Sequence, residues 1–386
     1  MTGIDVGTSH VKVVICSAKE KNEKGLPRIL GTGLAETQGL RHGYVTNISS
    51  VTHSIKKAIA QAEEKSGLKI RRAFVGIGGI GLNSVTVVSS IMTTRADQEI
   101  TELDIKNIQS QCEKDIPKTA IANRRIIYSI PLQYKIDNFP VLGRPEGMTG
   151  NKLELKTLFI TCLEHHVNDL IQAVNDAHVE VEDIVASPIA ASFVILNKNQ
   201  KIAGCMLSNI GAETVSVATF ENGLPTSLEV FPIGSTDITN DIALGLKVPL
   251  EEAEQIKIGA ITGSSFPRKK LDEIISARMK DMFELMESHL KKIGRNGLLP
   301  AGIVISGGGS SLNLVDDMAR VTLKLPSRIG TIGIESKTFK DSSWAVAYGL
   351  CLWGLHSEDD DMIDNSSRYI QELKKRVTKF FKQFIP

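Results

Sequence analysis

The stretch Gly3-Ile4-Asp5-Val6-Gly7-Thr8-Ser9-His10-Val11-Lys12-Val13-Val14-Ile15 limits the fold more than any other part of the chain. Apolar residues lead to an aspartate, a Gly-Thr-Ser turn follows, and a β-branched run then carries one lysine. That is the grammar of strand, tight turn and second strand. Small residues at Gly7, Thr8 and Ser9 let backbone N–H groups converge on an anion. Asp5 suits a hydrated divalent cation, and Lys12 can reach a phosphate oxygen. An ordinary hairpin with a polar turn reads the same way, and this stretch alone does not separate the two.

The same grammar returns at Cys205-Met206-Leu207-Ser208-Asn209-Ile210-Gly211-Ala212-Glu213-Thr214-Val215-Ser216-Val217-Ala218. Further on, Ala301-Gly302-Ile303-Val304-Ile305-Ser306-Gly307-Gly308-Gly309-Ser310-Ser311 runs a buried-looking strand into three glycines. Two hairpins followed by a strand-GGG turn, in that order, are far more specific than any one of them.

In this arrangement the chain resembles the actin-like ATPase superfamily, whose fold is shared with sugar kinases and heat-shock chaperones. Within it the chain is most similar to the FtsA family of bacterial division proteins. Arg41-His42-Gly43-Tyr44-Val45, Phe231-Pro232-Ile233-Gly234-Ser235, Ile238-Thr239-Asn240-Asp241-Ile242-Ala243, Ala253-Glu254-Gln255-Ile256-Lys257 and Trp344-Ala345-Val346-Ala347-Tyr348-Gly349-Leu350 extend the likeness over nearly the whole chain. The resemblance implies an α/β, bilobal actin-like (ribonuclease-H-like) ATPase fold with an inserted small subdomain and a C-terminal amphipathic helix. Residues 1–82, completed by 157–197 and 340–356, would form the first lobe, 83–156 the inserted subdomain, and 198–339 the second lobe. An acidic linker at 357–366 and a membrane-targeting helix at 367–386 would follow.

The resemblance also implies ATP and Mg2+ between the lobes. Asp5 would hold the metal through water, with Gly7, Thr8, Ser9, His10 and Lys12 on the phosphates. Gly211, Ala212, Glu213 and Thr214 would supply the opposing loop, and Asn240 would join them. Glu254 and Lys257, at i,i+3, would face ribose and base. Gly307, Gly308, Gly309 and Ser310 would leave room for adenine. Against the family pattern, Asn209 replaces an Asp, Ala212 and Glu213 interrupt an all-glycine turn, and Ser216 stands where Asp is common. An asparagine is neither a base nor a charge that orders magnesium and water. Glu213 would add repulsion of about 1 kcal/mol at 4 Å in water beside the phosphates. The expectation is nucleotide binding with weak or no hydrolysis.

A length of 386 residues suggests two domains or one bilobal body, and a formal charge of +1 gives no footing for a nucleic-acid role. The cysteines, Cys16, Cys112, Cys162, Cys205 and Cys351, form no CxxC pair, and all but Cys112 lie in apolar surroundings as buried thiols do. His165-His166 is adjacent rather than at ligand spacing and reads as a solvated helix start. No leader-like start and no apolar run of about 18 residues is seen, so a cytoplasmic chain that does not span a membrane is expected.

Along the chain, 18–27 reads as a loop, 29–36 as a strand, 50–66 as a helix closed by Gly67, and 73–77 as a buried strand. Thr101 with Asp104 three residues on reads as a helix start. Strands at 125–135 and 152–162 flank a Gly/Pro loop, and this inserted region reads as a protein-contact module or a purely structural insertion. Helices are expected at 167–177, 189–196, 237–246, 250–258, 271–293, 312–321 and 343–353, with a strand at 179–185.

After the acids Glu358, Asp359, Asp360, Asp361 and Asp364, a last helix places Tyr369, Ile370, Leu373, Val377, Phe380, Phe381, Phe384 and Ile385 on one face. Arg368, Lys374, Lys375, Arg376, Lys379 and Lys382 outnumber Glu372 there. Packing back on the body is one reading. The membrane surface is the other, where each basic side chain gains about 1 kcal/mol near anionic lipid.

The function the resemblance implies is an ATP-binding division protein that forms protofilaments with itself. It would tether the FtsZ ring to the cytoplasmic face of the membrane at the division site and recruit later divisome proteins through the inserted subdomain. Arg278, Lys291, Lys292 and Arg295 are the candidates to meet the FtsZ C-terminal tail, or else a solvated basic helix end. A pilus-assembly relative binding a membrane protein's tail is the alternative. An active small-molecule kinase of this fold is disfavoured by Asn209 and Ser216.

Overall fold

The opening alternation folds as its period predicts. Strands β1 (Thr2–Val6) and β2 (His10–Lys21) pair antiparallel with Asp5 opposite Lys12. The computed structural model describes residues 1–21, 26–261, 267–312, 314–332 and 342–358. Strand β3 (Pro27–Glu36) lies beside β2, so strand occupies part of the segment expected to be loop. A small hairpin of β4 (Leu40–Arg41) and β5 (Tyr44–Val45) leads to helix α1 (Ile48–Ser66). Asn47 caps its start, and Gly67, at φ 69°, ends it in the left-handed conformation that glycine adopts without strain. Helix α1 brings the chain back to β6 (Arg72–Ile77), parallel to β1.

The inserted region comprises β7 (Leu82–Met92), α2 (Glu102–Lys114), α3 (Lys118–Ile121), β8 (Arg124–Ile136), β9 (Phe139–Val141) and β10 (Lys152–Leu163). Its four strands form a separate sheet in the order β7-β10-β8-β9, with α2 packed on it over Ile105, Ile108 and Cys112. Thr101 starts α2 with a reciprocal capping box: its hydroxyl accepts from Asp104 N–H, and the Asp104 carboxylate accepts from Thr101 N–H.

The first lobe resumes with α4 (Glu164–Asn175), β11 (Glu180–Ala186) and α5 (Ser187–Ile195). The reading of His165-His166 is corrected here. His165 is exposed and meets Asp169 at 3.0 Å, but His166 is buried, with Nε2 3.0 Å from Gly78 O and its ring against Tyr44. Helical spacing put one histidine outward and its neighbour into the core.

Helix α6 (Lys198–Ala203) leads into the second lobe: β12 (Cys205–Ile210), β13 (Val215–Glu221), β14 (Leu224–Phe231), α7 (Ser235–Leu246), α8 (Leu250–Lys257), α9 (Arg268–Lys292), β15 (Ile303–Ser306), α10 (Val315–Leu323) and β16 (Ser327–Ile329). Helix α11 (Ala345–Glu358) follows, reaching two residues into the segment expected to be linker. Residues 359–386, and with them the rest of that linker and the amphipathic helix, lie outside the described residues.

The two large sheets have one design. The first runs β11-β6-β1-β2-β3 and the second β16-β15-β12-β13-β14, each an antiparallel three-strand meander extended by two parallel strands. Each therefore presents its opening hairpin turn at the same corner. Between them α5 packs on α11, and one apolar core continues from the first lobe into Leu207, Ala218, Phe220 and Leu228 of the second. All five cysteines are buried and free, Cys112 included.

The α5–α11 contact is made backbone to backbone: a Cβ on Gly349 would stand 1.9 Å from Ala190 O. Gly349→Ala is expected to lower stability by about 1–3 kcal/mol, the usual cost of overpacking a close contact. Urea unfolding followed by circular dichroism measures it, and a midpoint within error of the parent would show that the helices part freely.

Candidate functional site

Both hairpin turns open onto one interlobe cavity of about 1230 Å³, at or above the upper end of the range for ligand pockets. The turns close alike, with Gly7 N–H donating to His10 O (3.2 Å) and Gly211 N–H donating to Thr214 O (2.8 Å). Asp5, Gly7, Thr8, Ser9, His10 and Lys12 line the cavity from the first lobe, and Gly211, Ala212 and Thr214 from the second. The carbonyls of Gly211 and Ala212 accept from the Ser235 and Thr236 N–H groups at the start of α7. That commits the turn's oxygens to the protein, a sensible arrangement where an anion is to be met by N–H groups.

Glu254 and Lys257 also line the cavity and are bonded to each other, with Lys257 Nζ 2.7 Å from Glu254 Oε2. Lys257 Nζ further donates to Ser235 O and Thr239 Oγ1, and Thr239 donates to Glu254. Burial pushes the Glu254 carboxyl up, but these hydrogen bonds outweigh it and hold the group below its ordinary range.

The three glycines differ in role. Gly307, at φ 87°, would set a Cβ 2.2 Å from Asn209 Oδ1, and Gly309 would strike Ile210. Only at Gly308 is the space open, so Gly308 alone keeps the cavity clear; the other two let the turn lie on β12.

Three assigned residues fall elsewhere. Ser310 is buried and bonded to Gly307 O and Ser342, while Ser311 lines the cavity. Asn240 sits exposed on α7, away from the lining. Glu213 points across to the first lobe, where its carboxylate accepts from the His42 N–H and its carbonyl lies 3.2 Å from His42 Nδ1. The repulsive charge expected beside the phosphates is thus engaged outside the cavity.

Each member of the basic set on the second lobe has an acidic partner within that lobe. Arg278 makes a two-pronged pair with Asp241 at 2.7 and 3.1 Å, and Arg295 pairs with Glu221. Lys291 meets Glu287 at 2.9 Å, and Lys292 meets Glu229 at 3.7 Å. Arg278 and Lys291 are also roughly 20 Å apart along the helix at 1.5 Å per residue, too far for one cluster.

Sequence reading missed Gly43, Gly78, Gly79 and Ser187, which also line the cavity. A signal existed: Gly78-Gly79 follows β6 as the glycine triplet follows β15, and β6 and β15 hold equivalent places in the two sheets.

Paired sheets of this topology, with two glycine-containing hairpins facing across a cleft, define an actin-like protein. The chain is similar over 92% of its length to a chain of the PilM–PilN type IV pilus biogenesis complex (TM-score 0.68, 17% identity, 98% of that chain covered). It is similar over 94% to MreB5 of Spiroplasma citri bound to ADP (TM-score 0.53, 11% identity, 98% of that chain). These likenesses are of fold. The family model for cell division protein FtsA matches residues 206–349, and that for the SHS2 domain inserted in FtsA matches 82–161. Cell division protein FtsA of Pseudomonas aeruginosa is 29% identical over 100% of this chain and 97% of its own length. That of Streptococcus pneumoniae is 31% identical over 85% and 76%. The chain belongs to the FtsA family of cell-division proteins, and the pilus-type reading has fold alone behind it.

Burial raises the Asp5 carboxyl to about 6, against a smaller opposite pull from Lys12. The sign follows directly. Below the ordinary carboxylate value of 3.8, Asp5 is protonated folded or unfolded and stability is unaffected; above about 6 the folded state carries a poorly solvated charge. Stability should therefore fall as pH rises from about 4 to about 6. Asp5→Asn is expected to melt higher than the parent at pH 7.5 and to lose that portion of the pH dependence. Thermal melts at both pH values check it; an unchanged slope would place the titration on another group.

Proposed function

We propose that this chain binds ATP with Mg2+ in the interlobe cavity, assembles with copies of itself, and tethers the FtsZ ring to the membrane. The carrying observation is the pair of hairpin turns brought to opposite sides of one cavity, each closed by its own backbone hydrogen bond. The donor set fits the ligand. Asp5 is a desolvated carboxylate, the group a hydrated Mg2+ would stabilise, and the open space over Gly308 suits a planar base. Mg2+ would neutralise phosphate charge; Lys12 and the turn amides would orient the chain of phosphates. Of the other carboxylates in the lining, Glu254 is tied to Lys257 and Asp272 is exposed on α9, while Asn209 and Ser216 occupy the second hairpin. Among the described residues of the lining, no carboxylate other than Asp5 then stands free to act as a base, which supports slow turnover or none.

The membrane part of the reading rests on sequence. Among the described residues no helix is long and apolar enough to cross a bilayer. Tyr369, Ile370, Leu373, Lys374, Val377, Phe380, Phe381, Lys382, Phe384 and Ile385 would instead lie in its surface. For the FtsZ tail, the exposed Lys291 and Lys292 remain available to exchange partners, whereas Arg278 and Arg295 hold the second lobe together. Later division proteins would meet the inserted domain.

Isothermal titration with ATP and Mg2+ tests the nucleotide half. Gly308→Leu is expected to melt like the parent and to weaken ATP binding about tenfold or more, since its side chain enters the base's space. Undiminished affinity would move the base elsewhere. Co-sedimentation with anionic liposomes tests the membrane half: the full chain should pellet and a chain truncated after Asp364 should not. Equal behaviour of the two would overturn the anchor.

A further inference from the structure

The contact between Glu213 and His42 joins the two lobes at the phosphate end of the cavity. Glu213 belongs to the second hairpin turn, whose neighbours Gly211, Ala212 and Thr214 line the cavity while its own side chain turns away. The carboxylate accepts the backbone N–H of His42, and the His42 ring meets the Glu213 carbonyl through Nδ1 at 3.2 Å, a contact that requires the proton on Nδ1. One residue thus grips one residue at two points.

His42 is held there under strain. It sits at φ 48°, a left-handed conformation uncommon for a side-chain-bearing residue. The next residue, Gly43, lies so close to Gly79 that a Cβ would stand 2.3 Å from Gly79 Cα, and His42 O accepts from Ile80 N–H. The turn is wedged from the other side as well: a Cβ on Gly234 would stand 2.2 Å from Ala212 O. The 211–214 turn therefore cannot shift toward a ligand without carrying the His42 loop or breaking the grip. A strained residue held by neighbours on both sides is the form that a positioning device takes.

We propose that His42 and Glu213 are positioning residues that set the second hairpin turn and make it discriminate a nucleoside triphosphate from a diphosphate. The inference rests on the nucleotide reading above. The terminal phosphate is the group that meets both turns at once, so an improperly held second turn loses contact with it first. A diphosphate relies on the first turn and on the base and ribose side, which the grip does not touch. The rival role for Glu213, a charge that repels phosphate, gives the opposite sign when the carboxylate is removed.

Two measurements on the full chain decide it. Hydrogen exchange without nucleotide should show the peptide containing His42 protected in the parent, exposed in Glu213→Ala and protected in Glu213→Gln, which keeps an acceptor. Titration of fluorescent ATP and ADP with Mg2+ should show Glu213→Ala losing about tenfold in ATP affinity, an ordinary scale for coupling between sites, with ADP nearly unchanged. Glu213→Gln should keep most of the discrimination. Tighter ATP binding by Glu213→Ala, or equal losses for both nucleotides, overturns the proposal, as does unchanged exchange at His42. A parent that binds neither nucleotide overturns the nucleotide reading and the discrimination together, while the exchange arm still reports whether the grip exists.

Discussion

The distance between the two hairpin turns is set by backbone contacts in which no side chain intervenes. Helix α11 lies on β1 where Gly3 would place a Cβ 2.1 Å from Ala347 O, and α5 lies on α11 where Gly349 meets Ala190 O. Strand β1 carries the first turn, and α5 feeds through α6 into β12, which carries the second. The chain of contact is strand, glycine, helix, glycine, helix, strand. Apolar packing continuous across it makes the junction stiff, since close-packed interiors transmit strain rather than absorb it. The two turns are thereby held from behind, which suits an anion that needs N–H groups at fixed positions.

That same junction encloses a lysine. Lys201 on α6 is buried, with Nζ 4.8 Å from the Phe193 ring centre and 5.5 Å from that of Phe220, and burial brings it down to about 7. One ring belongs to the first lobe's α5 and the other to the second lobe's β13. Asp5 shows the complementary cost at the cavity, a carboxylate raised by burial. Burial wins in both cases. Lys201 faces ring surfaces that attract a cation, yet burial still outweighs that attraction. Among the described residues Asp5 is opposed by Lys12 across the hairpin, and the balance there favours burial over the ion pair.

Local rules carried the hairpins, the capping box at Thr101 and the Gly67 stop, because each depends on residues within a few positions of one another. The repeated sheet design was legible in the same way, through two strand-turn-strand patterns and a strand-GGG turn. What escaped depended on contacts between distant segments. His166 looked solvated beside His165 because the partners that bury it, Gly78 and Tyr44, lie far off in sequence. The partners of Arg278 and Arg295 could not be read from the sequence, because Asp241 and Glu221 come from another helix and from a strand end. Glu213 was located in the right turn but given the wrong direction; a turn's sequence states where its backbone goes and says little about which wall takes its side chain.

The inserted domain is not hung from the first lobe alone. Ser84 at the start of β7 offers its hydroxyl to Leu228 of β14, accepting the N–H and donating to the carbonyl, each at 2.8 Å. One side chain thus satisfies the backbone of an edge strand as a neighbouring strand would, a way of closing an edge against unwanted pairing. It also ties the second lobe to the insertion, a second contact besides the His42–Glu213 grip. On the other side, Arg124 of β8 donates to Gly81 O and Thr161, fixing the insertion to the strand that enters it. A rotation of the second lobe that opened the cleft would have to break the Ser84 pair or swing the insertion with it. The second course also breaks contacts, because Tyr128 of the insertion donates to Ile184 O and its Leu158, Ile160 and Cys162 share the first lobe's core. Relative movement of the second lobe and the insertion is opposed on both sides, and on the second-lobe side by a serine hydroxyl that bridges two sheet edges.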